Sequence, residues 1–561
     1  MEMTNRQVAR VLEEIGQLLE VQGENRFKVR AYMAAADRIG HLTGPVGDLT
    51  EEELEAIPGI GRALAGKIHQ IVQTGTCTER ERLIDATPPG LIPLLDLPGV
   101  GPKTVRRLWT ELGVEDTDSL IAAARNRRVR ALKGFGAKKE SDILRAAETA
   151  GKMTERMDVS GAKRRAAVLM AAIPGEAWVA GSLRRGRSTI GDIDIVTTAP
   201  PGETNRALRR IADSMIDEGE RKTSVRIEGR RADIRYADTA ELGTMLLYLT
   251  GSKAFNIRLR GIAAEQGMRL NEYGLLMRES GEVRTFPTEE GVFGALGMVP
   301  VPPELREDRG EVEYALEGRL PDLVDAGAIR GDLHVHSEWS DGTLSLPDIA
   351  DEGEKKGYEY ILITDHAAGI GVTHGLDAAR LERQRHEIER VNRNAACTLL
   401  AGIEVDILAD GHLSLPDTAL KACDLVVASV HTAFGQDADT MTRRMIVAIE
   451  NEHVDIIGHP TARLIGRRPP TAVDMDRIID AAAATGTALE INASPARLDL
   501  DDIYIRQAKE QGVNLSIGTD AHRRSDLEAM RYGVALARRG WCGPSDILNT
   551  RPLSALLRAD E

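Results

Sequence analysis

The apolar positions in roughly the first 150 residues follow a helical period. Between Gln7 and Leu19, apolar residues occur at positions 8, 11, 12, 15, 18 and 19, which lie on one face of a helix. Thr50-Glu51-Glu52-Glu53 has the sequence of a capping box, so another helix is predicted to begin there. Glycine turns separate these segments. The pattern predicts an all-α region of short helices.

After about residue 155 the pattern changes to mixed α/β. Helices are predicted near 162–173 and 204–217, between short strands. The strands are predicted at Trp178–Ala180, Asp192–Thr197, Val225–Glu228 and Ala232–Tyr236. Pro300-Val301-Pro302-Pro303 and the charged run to Glu317 then predict a linker.

From Arg330 onward, strand-like apolar runs alternate with helical stretches. The runs are Asp332–Val335, Tyr360–Thr364, Thr398–Val405, Leu425–Val430, Asp455–Gly458, Ala488–Asn492 and Asn514–Gly518. Such alternation is typical of a parallel sheet covered by helices. Seven βα units predict a parallel barrel rather than an open sheet.

Composition limits the class of protein. The chain has 561 residues, 42% of them hydrophobic and 28% charged, and a mean hydropathy of -0.24. These values are typical of several globular domains rather than of a disordered chain. No apolar run reaches the roughly 18–20 residues of a membrane helix. The first residues are polar, and the four cysteines form no Cys-x-x-Cys pair. We therefore expect a cytoplasmic protein with no membrane partner.

The charge is divided unevenly along the chain. The formal net charge of -15 argues against a polyanionic partner if it is spread evenly. Residues 1–320 contain 47 Lys+Arg and 48 Asp+Glu, whereas residues 321–561 contain 25 and 39. Ten of the 12 histidines also lie in the second part. A near-neutral front and an acidic, histidine-rich back indicate two different chemistries.

Three segments of the helical region share an apolar residue, a Gly-x-Gly turn and a following helix. Glycine permits the tight turn, and the free N–H groups at the helix start can bind a DNA backbone phosphate. A single copy is equally typical of an ordinary helix–turn–helix, but three copies favour nucleic-acid binding. The predicted DNA-binding glycines are Gly59, Gly61, Gly99, Gly101, Gly134 and Gly136.

A pair of carboxylates marks the α/β region. Asp192 and Asp194 lie two apart on a predicted strand, so both point to one face. Carboxylates on one face can hold Mg²⁺ or Mn²⁺ ions, and Asp233 on a later strand is the candidate third ligand. Such a site supports attack of a primer 3′-hydroxyl on the α-phosphate of a nucleotide, with pyrophosphate leaving. A surface strand is the alternative for an isolated Asp-x-Asp.

A Gly-Ser pair precedes these carboxylates by ten residues. Gly181-Ser182 follows a strand and opens a helix, and Arg184 and Arg185 come directly after it. A helix start and guanidinium groups can together hold a triphosphate. The combination of Gly-Ser with Asp-x-Asp is typical of nucleotidyltransferases.

Histidines and carboxylates of the acidic part fall at the ends of the predicted barrel strands. The active sites of parallel barrels form at these ends, so residues distant in sequence can converge. Mixed nitrogen and oxygen ligands suit two or three Zn²⁺, Mn²⁺ or Fe²⁺ ions, which activate water for phosphoester hydrolysis. The predicted metal ligands are His334, His336, Asp341, His366, Glu404, His431, His459, Asp520 and His522.

The helical hairpins and the nucleotidyl-transfer block together resemble the family X DNA polymerases, whose best-known member is DNA polymerase beta. The segment from Tyr248 to Asn256, followed by Arg260, is similar to the family's nucleotide-binding segment. Met268-Arg269-Leu270-Asn271-Glu272-Tyr273 is similar to its thumb motif. The resemblance implies that Tyr248, Gly251 and Asn256 bind the nucleotide and that Arg260 contacts the template side. A core aromatic is the alternative for Tyr248.

Two positions depart from the family pattern. The family has an aromatic residue at position 249, where this chain has Leu249, which leaves discrimination between deoxy- and ribonucleotides open. Lys67 matches the family's Schiff-base lysine for removal of 5′-deoxyribose phosphate, but an accompanying family lysine is Ala63 here. A nucleophilic lysine needs a depressed pKa. A phosphate-contacting or a solvated lysine is therefore an alternative for Lys67.

The acidic part resembles the PHP (polymerase and histidinol phosphatase) domain, and all nine of that domain's motif positions are filled. The resemblance implies 3′→5′ degradation of DNA and processing of blocked 3′ ends or abasic sites. The implied domains are a lyase-like helical domain (1–85), helix-hairpin-helix fingers (86–152), a nucleotidyltransferase palm (153–238), a thumb (239–315), a linker (316–330) and a distorted (β/α)₇ PHP barrel (331–561).

These features predict a monomeric repair polymerase that fills gapped or nicked DNA from deoxynucleoside triphosphates and trims 3′ ends. One alternative is a PHP phosphatase of small phosphate esters with an inactive polymerase region. Another is a DNA-end-binding scaffold without catalysis. Both are weakened because Asp192, Asp194, Asp233 and the nine barrel ligands are all present.

Overall fold

The computed structural model describes residues 5–40, 42, 46–57, 59–97, 100–154, 156–368 and 374–557. The chain divides into two compact units, residues 1–155 and residues 156–561. None of the helices in the described ranges combines the length and the apolarity that crossing a membrane requires.

The first unit is built from helices, as its apolar periodicity predicts. Thr50 Oγ accepts a hydrogen bond from Glu53 N (3.2 Å), and the Glu53 carboxylate accepts one from Thr50 N (2.9 Å), which confirms the capping box. Two separate apolar cores form, one before Leu83 and one mostly after Leu91. The helices are α1 (Asn5–Gln22), α2 (Arg26–Gly40), α3 (Glu51–Glu55), α4 (Arg62–Thr74), α5 (Thr78–Asp85), α6 (Pro102–Leu112), α7 (Thr117–Arg125) and α8 (Ala137–Thr154).

The second unit begins with a mixed five-stranded sheet. Its elements are β1 (Met157–Asp158), α9 (Val159–Ala172), β2 (Ala177–Val179), α10 (Gly181–Arg184), β3 (Thr189–Ile190), β4 (Ile193–Thr197), α11 (Pro201–Leu208), β5 (Ser214–Glu218), β6 (Lys222–Ile227) and β7 (Arg230–Tyr236). The strand order is β2-β4-β7-β6-β5, and β1 pairs separately with β3. Among the described strands of this five-stranded sheet, β4 and β7 alone pair in parallel.

The helix predicted near 204–217 is wrong in its second half. Helix α11 ends at Leu208, and Ser214–Glu218 forms β5, an edge strand paired antiparallel with β6. Four of the five residues of β5 are exposed, so the strand lacks the alternating burial that identifies a strand in a sequence. Pairing with β6 sets its conformation instead.

Residues 242–316 form a smaller α/β layer with its own core around Phe255, Leu259 and Phe293. Its elements are α12 (Leu242–Thr250), α13 (Lys253–Glu265), β8 (Met268–Asn271), β9 (Gly274–Met277), β10 (Val283–Arg284), α14 (Glu289–Ala295) and α15 (Glu311–Leu316). The three strands form an antiparallel sheet in the order β10-β9-β8.

The linker predicted from Pro300 to Glu317 is wrong, because this segment is packed into that core. Val301 and Leu305 are buried. The buried Arg306 guanidinium donates to the Glu289 carboxylate (Nη1 to Oε1, 2.6 Å) and to the Val301 carbonyl (2.9 Å). A buried arginine that is paired and hydrogen-bonded in this way holds a segment in place.

The rest of the unit is a parallel barrel. Its strands are β11 (Gly331–Val335), β12 (Tyr360–Ile363), β13 (Thr398–Asp406), β14 (Leu425–Ser429), β15 (Ile456–Ile457), β16 (Ala488–Asn492) and β17 (Leu515–Gly518), and they lie side by side in sequence order. The seven predicted strands are thus confirmed. Asp520 N donates to His334 O and His336 N donates to Ala521 O, both at 2.9 Å, so the first and last strands lie next to each other.

Helices surround this barrel on the outside, as expected when buried parallel strands alternate with crossover helices. They are α16 (Leu346–Lys356), α17 (Ala378–Asn392), α18 (Asp417–Leu420), α19 (Ala438–Ile449), α20 (Met475–Thr485), α21 (Asp502–Glu510), α22 (Met530–Arg539) and α23 (Leu553–Leu556).

Candidate active sites

The parallel pairing of β4 and β7 places Asp194 directly beside Asp233. Asp192 lies just before β4, and one carboxylate oxygen from each of the three residues lies within 4.8 Å of the others. The structure therefore brings the three predicted catalytic carboxylates together at two adjacent inner strands of the sheet.

The electrostatics of this cluster fit a bound cation. Burial, together with the neighbouring Asp192 and Asp233 carboxylates, raises the pKa of Asp194 to about 7. Burial also acts to raise the pKa of Asp233, but hydrogen bonds from Lys222 (2.7 Å), Arg231 (3.0 Å) and Ser224 (2.7 Å) outweigh it and lower that pKa. A divalent cation would stabilise the ionised form of all three. The sequence did not point to Lys222 or Ser224, which reach Asp233 only through the antiparallel pairing of β6 with β7.

Gly181 closes the cluster on one side. Its φ of +62° lies in the left-handed region, and a Cβ added there would lie 2.1 Å from Asp194 Oδ2. The backbone before it is tied to the same residue, since Ala180 N donates to Asp194 O (2.8 Å). Only glycine allows the start of α10 to approach the carboxylate this closely.

A cleft of about 670 Å³ opens beside the carboxylates. Tyr248 lines it and is 37% exposed, so Tyr248 is not a core aromatic. The other predicted nucleotide-binding residues on its walls are Gly181, Ser182, Arg185, Gly251, Asn256 and Arg260, and Leu249 lies there too. The cleft lies within the range of volumes that small-molecule sites occupy.

Arg184 does not line this cleft, although the sequence grouped it with Arg185. Its guanidinium donates to both oxygens of Glu289 (2.9 and 2.7 Å) and to Thr250 Oγ (2.7 Å). The prediction that Arg184 holds the triphosphate is therefore corrected. Consecutive residues of a helix point roughly 100° apart, so the two arginines face different neighbours. The buried Glu289 carboxylate accepts hydrogen bonds from Arg184 and not from Arg185.

Arg185 is tied through Glu307 to the barrel. The Glu307 carboxylate accepts from Arg185 Nε (3.1 Å) and from Arg539 Nη1 (3.1 Å), a buried residue of α22. Arg539 also donates to the Arg185 carbonyl (2.8 Å) and to the Asp502 carboxylate. One carboxylate thus holds a cleft arginine and a barrel arginine together.

We expect Arg539→Ala to raise the KM for the incoming nucleotide about tenfold. Glu307, which positions Arg185 in the cleft, would lose its charge-assisted hydrogen bond from Arg539, and such a bond contributes roughly 1.5 kcal/mol. Steady-state single-nucleotide incorporation on a gapped substrate measures this, with 3′ degradation as the check that the barrel is folded. Arg538→Ala is the matched control, since Arg538 lies on the same helix but pairs with Glu304 (2.9 Å). An equal increase in KM in both variants would contradict the role of Arg539.

The second site lies at the carboxyl ends of the barrel strands. The nine predicted ligands converge there, and they include three overlapping groups whose potential ligand atoms lie within 4.8 Å of one another. His336 belongs to two of these groups, and so does His366. The groups are His336–Asp341–His366–His522, His334–His336–Asp520 and His366–Glu404–His431.

His459 joins the same centre through Glu404. Its Nε2 lies 3.1 Å from Glu404 Oε1, and its Nδ1 is buried without a hydrogen-bond partner in the described part of the chain. The Nδ1 atom of His336 is also buried without a partner there. Burial, with His522 and His366 adding to it, lowers the pKa of His336 to about 3, so this imidazole is neutral. Neutral imidazoles with unsatisfied nitrogens around a buried carboxylate are what a metal cluster needs.

Four residues that were not predicted from the sequence contact the side chains of these ligands. Glu490 lies 2.7 Å from His334 Nδ1, and Asp406 lies 2.7 Å from His431 Nδ1. Arg497 Nε and Asn492 Nδ2 donate to Asp520 Oδ2 (3.1 and 3.2 Å). Carboxylates placed on the far nitrogen of a ligating histidine fix its tautomer. Glu490 and Asn492 lie two apart on a predicted strand, which is the signal that could have identified them.

Comparisons with known proteins match four segments of the chain to family models and nearly the whole chain to one relative. Family models match for the DNA polymerase beta thumb (residues 245–307), the PHP domain (332–494), a helix-hairpin-helix domain (3–77) and a SAM-like helix-hairpin-helix tandem (91–149). The chain is 40% identical to the DNA polymerase/3′-5′ exonuclease PolX of Bacillus subtilis (strain 168), over 98% of each chain. It belongs to the PHP-containing family X DNA polymerases.

Two further relatives each match part of this family X chain. DNA polymerase lambda of Rattus norvegicus is 28% identical over 52% of this chain and 55% of its own. A probable phosphatase of Thermoanaerobacter sp. (strain X514) is 31% identical over 39% of this chain and 89% of its own.

In this family X chain, the predicted glycine turns precede the starts of helices α4, α6 and α8. Gly61 and Gly101 are the N-cap residues of α4 and α6, and Gly136 directly precedes α8. Gly59 and Gly134 have φ values of +86° and +84°. A Cβ added at Gly61, Gly101, Gly134 or Gly136 would meet no atom within 4 Å, so a phosphate could approach these turns. Gly99 lies outside the described residues.

Lys67 lies on α4 in the first unit. Its ammonium donates to the Tyr32 hydroxyl (2.6 Å), and the nearby Glu79 carboxylate is taken by Lys28 (2.8 Å) and Arg82 (3.2 Å). Lys67 is therefore half-buried against a tyrosine rather than solvated. This position argues only against the solvated lysine among the alternatives for Lys67.

Proposed function

We propose that this protein fills short gaps in DNA during repair and trims 3′ ends with its PHP domain. The observation that carries the proposal is the convergence of Asp192, Asp194 and Asp233 beside an open cleft in the same chain as a nine-ligand barrel site. DNA and deoxynucleoside triphosphates are the substrates of the polymerase site, and gapped or nicked DNA is its target.

At the polymerase site, the three carboxylates would hold Mg²⁺ or Mn²⁺ ions. Such ions lower the pKa of a primer 3′-hydroxyl and neutralise the charge on the leaving pyrophosphate. Gly181 and Ser182 present the N-terminus of α10 to the phosphates, and Arg185 adds a positive charge. Tyr248, Gly251 and Asn256 are proposed to position the sugar and base, with Arg260 on the template side.

At the PHP site, the nine ligands would hold two or three Zn²⁺, Mn²⁺ or Fe²⁺ ions, which activate water and bind a phosphate. Glu404 connects several of these ligands, with His366, His431 and His459 within 3.3 Å of its carboxylate. The glycine turns are proposed to bind the DNA backbone. Lys67 is proposed to meet the 5′ end of the gap, as a phosphate contact or as the Schiff-base nucleophile.

The domain boundaries follow from the same proposal. The two apolar cores of the first unit support a lyase-like domain (1–85) and fingers (86–152). The palm (153–238), thumb (239–315), connecting segment (316–330) and PHP domain (331–561) account for the second unit.

Removal of metal tests the proposal directly. We expect chelation to abolish both gap filling and 3′ degradation on a one-nucleotide-gapped duplex, because activation of the 3′-hydroxyl at one site and of water at the other requires divalent cations, which the neighbouring lysine and arginines cannot replace. Added Mg²⁺ or Mn²⁺ should restore gap filling. The wild-type protein is also assayed with p-nitrophenyl phosphate, a small phosphate monoester. Hydrolysis of this ester without any activity on DNA would instead favour the phosphatase that the PHP half resembles.

A further inference from the structure

A second large cleft, of about 730 Å³, lies between the palm and the PHP barrel and includes none of the predicted catalytic or metal-binding residues. Of the predicted nucleotide-binding residues it includes only Arg184, whose guanidinium donates to Glu289. One wall is α9 of the palm, and the opposite wall is α22 of the barrel. Gly186 lies at its base, where an added Cβ would be 3.5 Å from Ala535 Cβ. The cleft thus lies between the palm, which carries the polymerase carboxylates, and the barrel, which carries the PHP ligands.

Two cations in this cleft approach the same buried aromatic ring. The ammonium of Lys163 lies 4.5 Å from the centre of the Tyr532 ring, and the guanidinium of Arg531 lies 5.0 Å from it. Arg531 Nη2 also lies 3.3 Å from the Tyr532 hydroxyl. Tyr532 is only 6% exposed. Cation–π contacts therefore hold two like charges near one another.

No carboxylate compensates these two charges at close range. In the described part of the chain, no carboxylate oxygen lies within 4.0 Å of either cation. Glu304 lines the cleft but pairs with Arg538 (2.9 Å), and Glu528, near Arg531, pairs with Lys356 (2.5 Å). Burial and the charge of Arg531 lower the pKa of Lys163. An anion placed between the two cations would relieve this repulsion.

A further cation, Arg164, and an apolar wall also belong to the cleft. Arg164 lies on α9 one residue after Lys163, with Nη1 3.3 Å from Ser160 Oγ, and it also interacts with the Asp158 carboxylate. The remaining wall is apolar and can cover a flat ring. It is formed by Val159, Ala166, Ala167, Met170, Leu498 and Leu536.

We propose that this cleft binds a nucleotide unit, with the phosphate between Lys163 and Arg531 and the base on the apolar wall. A bare phosphate would use the cations but leave the apolar wall exposed to water, whereas a nucleotide satisfies both. The unit can come from a free mononucleotide or from a strand of DNA passing between the two active sites.

Lysine footprinting of the full-length holoenzyme tests this proposal. Lysines are acetylated with an N-hydroxysuccinimide ester and quantified by mass spectrometry, with no addition, with dAMP, or with a short phosphorothioate oligonucleotide that resists degradation. We expect Lys163 to be protected several-fold. Lys421, an exposed barrel lysine, should be unaffected. Lys253, on the polymerase cleft, reports binding there separately.

The arms of the experiment distinguish the sources. Protection by dAMP alone assigns the cleft to a free nucleotide, and protection by the oligonucleotide alone assigns it to a DNA strand. Arg531→Ala should raise the concentration for half-protection at least about fivefold, whereas Arg390→Ala, on an exposed helix face, should not. Unprotected Lys163 at concentrations of both probes that protect Lys253 would overturn the proposal. Protection that is unchanged in Arg531→Ala would overturn it as well.

Discussion

Asp194→Asn should lower single-nucleotide gap filling by about 10³-fold or more and leave 3′ degradation unchanged. The substitution keeps the size of the side chain but removes one negative charge from the carboxylate cluster. Loss of a ligand to a catalytic metal ion is expected to remove several kcal/mol of transition-state stabilisation. Primer extension on a gapped duplex and release of nucleotides from a 3′ end measure the two activities on the same preparation.

The stability of this variant gives an independent readout. The pKa of Asp194 is raised from 3.8 to about 7 in the folded protein. Ionisation of Asp194 therefore lowers the free energy of unfolding progressively as the pH rises from the ordinary pKa of 3.8 to about 7. Above pH ~7 this loss of stability is complete. In chelator above pH ~7, Asp194→Asn should melt at or above the temperature of the wild type. Asp217→Asn, on the exposed edge strand β5, is the matched control and should keep both activities. A variant that melts earlier, or retains synthesis, would count against Asp194 as a metal ligand.

His336→Ala should have the reverse effect, with 3′ degradation lowered by about 10²-fold or more and gap filling retained. His336 belongs to two of the three ligand groups, so its loss weakens two metal positions at once. Loss of an outer-sphere partner alone costs roughly 10–100-fold, and a direct ligand is expected to cost at least as much.

A measurement of metal content and a control substitution at a surface histidine accompany this test. Inductively coupled plasma mass spectrometry should show less bound metal in His336→Ala than in the wild type. His386→Ala, on the exposed face of α17, should match the wild type in metal content and both activities. Equal loss of synthesis and degradation in His336→Ala would falsify the assignment of two independent active sites.

Most of the barrel site could be predicted because its geometry depends on local periodicity. Each strand of a parallel barrel ends on the same face, so a ligand-type residue after each apolar run is enough to predict convergence. His334 and His336 share a strand face because side chains alternate along a strand. The same alternation predicts that Asp192 and Asp194 lie together, and they do, although Asp192 directly precedes β4.

Other features depend on partners that no local pattern records. Arg184 and Arg185 are equivalent in the sequence, and only the buried Glu289 carboxylate, 105 residues away, decides which of them faces the nucleotide cleft. The edge strand β5 is exposed and forms because β6 lies beside it.

The sequence by itself determined the helical front, the order of the barrel strands and the residue types at both metal sites, because helices and strands repeat with a fixed period. Only the tertiary structure decided that the segment after Pro300 is packed against Glu289, that Glu307 joins the polymerase cleft to the barrel, and that Lys163 and Arg531 meet at Tyr532. Each of these contacts joins residues from different elements, and the energy of a buried charge depends on which partner reaches it.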